Sequence, residues 1–290
     1  RPAGRNRQPN PILWPPKDME LDPMHSDRHT LFQALWDNYR AVTPSAERIH
    51  TLLGKRESKP IVNDHIALRT FNLAPVGLDA LAAHFLNLGY RPGDEYHFEA
   101  KKLYARHYEH PDDDAPKVFI SELRVELCSP ALQTIVRDLV AQVDPARVEA
   151  DDFLYAGRPW QLDYDTYRAL LEESEYAAWT AAWGYRANHF TVSINHLESL
   201  DSVADINRLL KDNGFTVNSA GGEVKGSPEQ RLEQSSTMAD RVPVAFSDRE
   251  AVIPSCFYEF ARRYPLADGR LYQGFVAASA DKIFESTHAG

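Results

Sequence analysis

The chain contains an internal repeat, which restricts the folds it can adopt more than any other feature. Two segments share the same order of parts: a predicted strand that starts with a histidine, a helix, and a glycine followed by an aromatic residue. His65 lies 24 residues before Gly89, and His189 lies 25 residues before Gly214. Self-similarity at a near-constant spacing indicates two copies of one structural unit. The two histidines are therefore predicted to start equivalent, paired strands.

The strand predicted at 62–71 has two chemically costly side chains on one face. Successive side chains of a strand point to opposite sides, so His65, Ala67 and Arg69 share a face. The histidine can bind a metal and the arginine can bind an anion, and about 13 Å of strand separates them. Because both side chains are long, we expect them to lean toward a common ligand between them.

The equivalent strand of the second unit, 188–194, has a polar face. His189, Thr191 and Ser193 share this face, and apolar residues alternate with them. A ligand-filled cavity needs a polar wall of this kind, and so does a sheet face exposed to solvent. Further along the chain, 233–237 is a polar stretch that either supplies hydroxyl and amide donors to a ligand or forms a turn. The candidate substrate contacts on these two segments are Ser193, Gln234, Ser235 and Ser236.

Two histidines on paired strands suggest two ligands of one metal ion, and a third ligand should be a carboxylate on a nearby strand. Glu259 is our choice because it lies among aromatic residues, where burying an unpaired carboxylate is costly. Coordination to a cation would offset that cost. Two histidines and one carboxylate on one face of a metal leave the other face open, which suits Fe(II) chemistry with oxygen and a chelating substrate. The predicted ligands are His65, His189 and Glu259.

Each of these assignments has a structural alternative. Glu259 could form a salt bridge with Arg262 or Arg263 instead of binding a metal. Glu126 occupies the last strand of the first unit and is the rival carboxylate, although the charged residues around it favour surface ion pairs. His196 is the rival histidine of the second unit, but an odd number of positions separates it from the first one, so it would face the other way.

The order of the predicted elements gives an α+β chain with one catalytic domain. Residues 130–185 differ from both repeat units because their apolar residues recur with helical spacing. We also predict strands at 252–260 and within 274–286. The predicted divisions are an irregular Pro-rich arm at 1–26 and a single catalytic domain at 27–290, which comprises N-terminal helices at 27–60, the first unit at 61–129, the helical insert at 130–185, and the second unit with a C-terminal tail at 186–290.

Charge and composition exclude several classes of partner. The net charge is −10, whereas binding to a nucleic-acid backbone requires a basic surface. No apolar run approaches the ~20 residues that a membrane-spanning helix needs. Two cysteines without metal-type spacing predict a reducing compartment, which we expect to be the cytoplasm, with an organelle matrix such as a plastid as the alternative. The first seventeen residues contain five prolines and no apolar segment, so we expect no secretory signal there.

Five segments resemble the 2-oxoadipate dioxygenase/decarboxylase family in their order and spacing, and the resemblance extends from about residue 30 to the C-terminus. These segments are Asn63-Asp64-His65-Ile66-Ala67-Leu68-Arg69-Thr70-Phe71, Asn188-His189-Phe190-Thr191, Ser219-Ala220-Gly221-Gly222, Gln234-Ser235-Ser236-Thr237 and Ala280-Asp281-Lys282-Ile283-Phe284-Glu285-Ser286-Thr287. The chain is similar to the short members of this family, which occur in plant plastids and in some bacteria. Its paired units with His, His and Glu also resemble the vicinal oxygen chelate superfamily.

The resemblance implies paired βαβββ-type units that form a curved mixed sheet around a metal site. It implies an Fe(II) enzyme of lysine catabolism that converts 2-oxoadipate, a small 2-oxo dicarboxylic acid, and O₂ to 2-hydroxyglutarate and CO₂. Carried over residue by residue, the metal ligands are His65, His189 and Glu259, and Arg69 binds a substrate carboxylate. The alternative functions are a metal-dependent isomerase or lyase of the same fold, using Zn or Ni without O₂, and a non-catalytic metabolite-binding protein.

Overall fold

The computed structural model describes residues 24–288, so all but the last three residues of the predicted Pro-rich arm lie outside the described residues. In this range the helices are α1 (Arg28–Arg40), α2 (Pro44–Gly54), α3 (Leu78–Leu86), α4 (Pro130–Val140), α5 (Tyr164–Glu173), α6 (Glu175–Trp183), α7 (Val203–Asp212) and α8 (Ala277–Ile283). The strands are β1 (Asn63–Phe71), β2 (Arg91–Phe98), β3 (Leu103–Glu109), β4 (Lys117–Leu123), β5 (His189–Ser193), β6 (Lys225–Ser227), β7 (Leu232–Ser236), β8 (Arg241–Ala245), β9 (Glu250–Pro254) and β10 (Phe257–Arg263). None of these described helices has the length and apolarity that a membrane span requires.

Eight of the ten described strands form one curved mixed sheet, in which the two repeat units have the same topology. Its strand order is β2-β3-β4-β1-β5-β10-β7-β6. In the first unit, β1 is followed by α3 and three strands, and the last of these, β4, pairs with β1 in parallel. In the second unit, β5 is followed by α7, and its last strand, β10, likewise pairs with β5 in parallel. The prediction of an α+β fold with paired βαβββ-type units is confirmed.

The two units meet at the centre of the sheet, where β1 and β5 run antiparallel. His65 is opposite Thr191, and Ala67 is opposite His189. Directly opposed residues of an antiparallel pair project to the same side of the sheet. The register therefore places both histidines on the concave face of the sheet.

The prediction that residues 27–290 form a single catalytic domain stays a prediction.

Helices cover the other face of the sheet because alternate strand residues are apolar. Ile66 and Leu68 on β1 project to that face and are buried. Helix α1 packs against the second unit: the indole ring of Trp36 meets Phe190 edge-on at 5.1 Å between centroids, and the Tyr39 hydroxyl donates to the backbone carbonyl of Phe257. Burial of large aromatic rings contributes strongly to core stability.

The helical insert anchors the sheet near Arg69. Residues 164–183 of the predicted helical insert form two helices, because the Ser174 side chain accepts a hydrogen bond from the backbone N–H of Ala177 and so caps a new helix, α6. The Tyr176 hydroxyl accepts from the backbone N–H of Thr70 and donates to the carbonyl of Ser121. Helix α6 thus links β1 and β4 at the end of the sheet that carries Arg69.

Three predicted elements differ from the structure. The single strand predicted at 252–260 is two strands, because β9 pairs with β8 in a separate hairpin while β10 joins the main sheet. The polar stretch 233–237 forms β7, which lacks hydrophobic alternation because its inward residues are polar. The strand predicted within 274–286 is wrong: α8 and a 3₁₀ turn, Phe284–Thr287, occupy it, and alanine-rich sequence favours a helix there.

A glycine substitution tests the turn that leads from α6 into β5. Gly184 has φ +62°, and an added Cβ would lie 2.2 Å from the carbonyl oxygen of Gly157. We expect Gly184→Ala to lower the free energy of unfolding by about 2–4 kcal/mol. The matched control is Gly54→Ala in α2, where a Cβ meets nothing within 4 Å, and which we expect to be neutral or stabilising by about 0.5 kcal/mol. Urea denaturation measures both, and equal stabilities would contradict the assigned backbone conformation.

Candidate metal centre and substrate cavity

Three buried side chains converge on the concave face of the sheet. His65 comes from β1, His189 from β5 and Glu259 from β10, and the candidate ligand atoms of the three residues all lie within 4.8 Å of one another. Glu259 is fully buried, and the two histidines are 2% and 7% exposed. The topology explains the grouping, because β5 lies between β1 and β10.

The residue before each histidine fixes the orientation of the imidazole. Nδ1 of His65 lies 2.7 Å from Oδ1 of Asp64, and Nδ1 of His189 lies 2.9 Å from Oδ1 of Asn188. Since both partner oxygens are acceptors, each Nδ1 carries the proton and donates. The Nε2 atoms therefore keep their lone pairs and point toward Glu259. Metal-binding histidines are oriented by the same kind of hydrogen bond.

The Glu259 carboxylate faces these lone pairs. Its Oε2 lies 2.8 Å from Nε2 of His189, and its Oε1 lies 3.6 Å from Nε2 of His65. A carboxylate and two imidazole lone pairs repel one another unless a cation lies between them. The donor set therefore fits a divalent transition metal ion.

A hydrogen bond from Gln234 holds the Glu259 carboxylate in place. The Gln234 side-chain amide donates to Oε1 of Glu259 at 2.5 Å, and Oε2 has no aligned hydrogen-bond donor. The Thr191 hydroxyl lies 3.1 Å from Nε2 of His65. Oε2 of Glu259 is thus a free acceptor in the interior, as a metal ligand requires.

The two halves of the site differ in charge. Arg263 donates from Nε and Nη2 to the two carboxylate oxygens of Asp64, at 2.7 and 3.0 Å, whereas Asn188 is neutral. Burial would raise the pKa of Asp64, but Arg263 and His65 hold it well below its usual range. Arg263 therefore pairs with Asp64 and not with Glu259, which was the alternative considered from the sequence. Sequence reasoning missed this role of Asp64, although the acid or amide before each histidine was visible in the repeat.

Arg69 projects into the same cavity as the three candidate ligands, as the strand alternation predicted. Arg69 is 3% exposed, and no carboxylate among residues 24–288 lies within ion-pair distance of its guanidinium group. Its Nη2 donates to the Thr287 hydroxyl at 3.1 Å, and its buried Nε has no hydrogen-bond partner. Burial lowers the pKa of Arg69. A buried cation with unused donors is a receptor for an anion.

The cavity between Arg69 and the candidate ligands has a volume of about 30 Å³. Apart from these groups its lining is largely apolar, and its aromatic and aliphatic members are Phe119, Phe257, Phe275, Ile283 and Phe284. The Phe275 ring meets the His65 imidazole edge-on, with centroids 4.8 Å apart. Such a lining excludes water from the candidate ligands.

The structure brings only one of the four other predicted substrate contacts to this cavity. Gln234 lines it, but its amide donates to Glu259. The Ser193 hydroxyl is bonded to His196, and the Ser236 hydroxyl to Ser286. Ser235 is opposite Phe260 and projects to the other face of the sheet. Substrate contact by Ser193, Ser235 and Ser236 stays a prediction, and none of the three lines the cavity.

The rival ligands lie outside the site. Glu126 is exposed and bonded to Asn72 and Arg124, and the exposed imidazole of His196 is bonded to Ser193. Neither residue belongs to the cluster that could hold a metal ion in the described range.

Comparison with known proteins identifies the family. The sequence profile of 2-oxoadipate dioxygenase/decarboxylase matches residues 23–271. The chain belongs to the 2-oxoadipate dioxygenase/decarboxylase family. A family member from Oryza sativa subsp. japonica, described as a chloroplastic/amyloplastic 2-oxoadipate dioxygenase/decarboxylase, is 35% identical over 94% of this chain and 82% of its own length.

Two solved structures support the fold of this 2-oxoadipate dioxygenase/decarboxylase family member. Hydroxyglutarate synthase from Oryza sativa, crystallised with 2-oxoadipate, is 32% identical with a TM-score of 0.85 and covers 94% of this chain and 98% of its own. A protein from Shewanella frigidimarina, described as a putative hydrolase, is 61% identical with a TM-score of 0.83 and covers 88% of this chain and 100% of its own.

Substitution of Asp64 tests whether it positions His65. We expect Asp64→Ala to weaken metal binding by roughly 10- to 100-fold, because the imidazole loses the acceptor that fixes its orientation. Asp64→Asn keeps an acceptor and should weaken binding less. Anaerobic calorimetry with Fe(II) measures the dissociation constants, and circular dichroism checks that each variant is folded. Wild-type affinity in Asp64→Ala would contradict the positioning role.

Proposed function

We propose that this protein is an Fe(II)-dependent dioxygenase/decarboxylase that converts 2-oxoadipate and O₂ to 2-hydroxyglutarate and CO₂. The observation that carries this proposal is the placement of two buried histidines and a buried glutamate across one cavity from a buried arginine that has no carboxylate partner in the described part of the chain. Family membership and the 2-oxoadipate complex of the rice homologue support the choice of substrate. The reaction balances without a second oxo acid, because the substrate supplies its own.

The metal ligands in this proposal are His65, His189 and Glu259. These three donors on one side leave the opposite side open, which is the arrangement that non-haem Fe(II) oxygenases use. When bound there, Fe(II) would supply oxygen activation and a chelating site for the 2-oxo carboxylate end of the substrate. Gln234 serves this site by holding the Glu259 carboxylate in the orientation that directs Oε2 toward the histidines.

Arg69 binds the distal carboxylate of the substrate in this proposal. The guanidinium group and the candidate metal ligands line the same cavity, so one molecule with anionic groups at both ends can contact both. Water screens the pair poorly here because Arg69 is buried, which strengthens the attraction. A guanidinium fork also matches a carboxylate in two parallel hydrogen bonds. Arg69 thereby orients the chain of the acid relative to the metal.

The apolar lining of the metal cavity suppresses side reactions. Phe119, Phe257 and Phe275 exclude water from the space beside the ligands. Exclusion of water directs the oxygen chemistry to the bound acid and strengthens the electrostatic interactions inside the site. The same lining packs against the methylene groups of a six-carbon diacid.

We place the reaction in lysine catabolism, in the cytoplasm or an organelle matrix. 2-Oxoadipate keeps the six-carbon chain of lysine with both ends oxidised, so a lysine-degrading reaction series can supply it. Cys128 and Cys256 are both unpaired and buried, which agrees with a reducing compartment.

Substitution of the ligands tests the proposed metal centre. We expect His65→Ala, His189→Ala and Glu259→Gln each to reduce 2-oxoadipate-dependent O₂ consumption by roughly a thousandfold, because loss of one ligand removes the metal or misplaces it. The matched controls are His196→Ala and Glu126→Gln, which replace the rival residues and should keep wild-type rates. Oxygen uptake with added Fe(II) measures all five variants.

Two outcomes of the ligand experiment would contradict the proposal. Full turnover by any of the three ligand variants would remove that residue from the metal site. Conversion of 2-oxoadipate by the wild-type protein under nitrogen, with no O₂ consumed in air, would favour an isomerase or lyase.

A separate substitution tests the role of Arg69. In Arg69→Ala we expect KM for 2-oxoadipate to rise about 100-fold or more, because a buried charge-assisted pair is lost. The comparison substrate is 2-oxohexanoate, which lacks the distal carboxylate. The preference of the wild-type protein for the diacid should disappear in Arg69→Ala and survive in part in Arg69→Lys. An unchanged preference would show that another group binds the distal carboxylate.

A further inference from the structure

A second cavity lies directly beside the metal cavity. Its volume is about 400 Å³, more than ten times that of the metal cavity at about 30 Å³. Its lining carries charges of both signs, including Lys101, Lys102 and Glu175. Nothing in the proposed reaction uses this space. Because this cavity borders Arg69, which binds the distal carboxylate in our proposal, it offers space for a longer substrate.

Two side chains separate the cavities. Arg69 and Phe284 line both of them. The Phe284 ring lies 5.5 Å from the centre of the guanidinium group, so the two side chains form a continuous partition. The ring is held on its other sides by Phe98 and Tyr176, with centroids 5.2 and 6.1 Å away.

The backbone next to Phe284 is fixed, so substitution of Phe284 changes the partition without moving the residues around it. The carbonyl of Ser286 accepts from the N–H of Ala239, and the Ser286 hydroxyl is bonded to Asn218 and Ser236. The strand residues of the metal cavity are held by the sheet. In contrast, Phe284 lies at the start of a short 3₁₀ turn and is partly exposed.

The size of the metal cavity makes the partition relevant to specificity. About 30 Å³ accommodates no more than a few water-sized groups, so a six-carbon diacid must use space up to the partition itself. If the 2-oxo end of the acid lies at the metal and its distal carboxylate binds Arg69, the distal end of the acid lies beside the Phe284 ring. An acid with one more methylene group meets the ring.

We propose that Phe284 sets the upper chain length of the 2-oxo dicarboxylic acid by closing the metal cavity against the second cavity. This inference rests on the proposed function, in that it takes Arg69 as the site of the distal carboxylate. A smaller side chain at 284 joins the two cavities and lets a seven-carbon acid extend past Arg69 into the second cavity. One methylene group in a closed apolar pocket changes discrimination by about 10- to 200-fold.

The experiment measures binding of 2-oxoglutarate, 2-oxoadipate and 2-oxopimelate to the Fe(II)-loaded full chain by calorimetry under nitrogen. For the wild-type protein we expect 2-oxopimelate to bind at least about tenfold more weakly than 2-oxoadipate. In Phe284→Ala this ratio should fall at least about tenfold, and in Phe284→Leu by less. The matched control is Cys128→Ala, because Cys128 lines the second cavity but not the metal cavity. Its ratio should stay within about threefold of the wild-type value.

Each outcome bears on one claim. An unchanged ratio in both folded Phe284 variants, or an equal change in Cys128→Ala, overturns the role of Phe284. Binding is measured without O₂, so the result does not depend on turnover. A wild-type protein that binds 2-oxoadipate but consumes no O₂ would overturn the proposed reaction and leave the chain-length role standing.

Discussion

The structure depends on one electrostatic arrangement: two imidazole lone pairs and a carboxylate meet in the interior where the two repeat units join. Glu259 is fully buried, and only cationic or hydrogen-bonding neighbours can offset the loss of its hydration. Gln234 provides one such contact, and a metal ion between Glu259, His65 and His189 would provide the rest. The sheet topology makes this possible, because the first strands of both units and the last strand of the second are neighbours.

The two units share a topology and have diverged in charge. Asp64, paired with Arg263, supports His65, while neutral Asn188 supports His189. Arg69 adds a second asymmetry, because Ser193 at the corresponding step of the second unit is bonded to His196 and stays outside the cavity. In our proposal, His65 and His189 occupy equivalent positions in the two units and bind the metal. The substrate is selected by Arg69, which has no equivalent in the second unit.

More of the candidate site than of the surrounding fold could be predicted from the sequence. The repeat located His65 and His189 together, and strand alternation placed Arg69 beside them. The costly position of Glu259 among aromatic residues identified the carboxylate. The hydrophobic periodicity did not predict β7, because the residues of this strand that face the cavity side are polar. It predicted a strand instead of a helix within 274–286, because the spacing of the apolar residues there is compatible with both. The Arg263–Asp64 pair joins residues about 200 positions apart, which local patterns cannot reveal.

The measurement that tests the central claim most directly is an anaerobic titration of the metal-free protein with Fe(II), followed by bound iron per chain and by the thermal unfolding temperature. A ligand that binds only the folded protein raises this temperature in proportion to the logarithm of its concentration. Our account predicts saturation at one Fe(II) per chain with a clear rise in Tm, and loss of both effects in Glu259→Gln. Saturable binding that survives this substitution, or no binding to the wild-type protein, would contradict it.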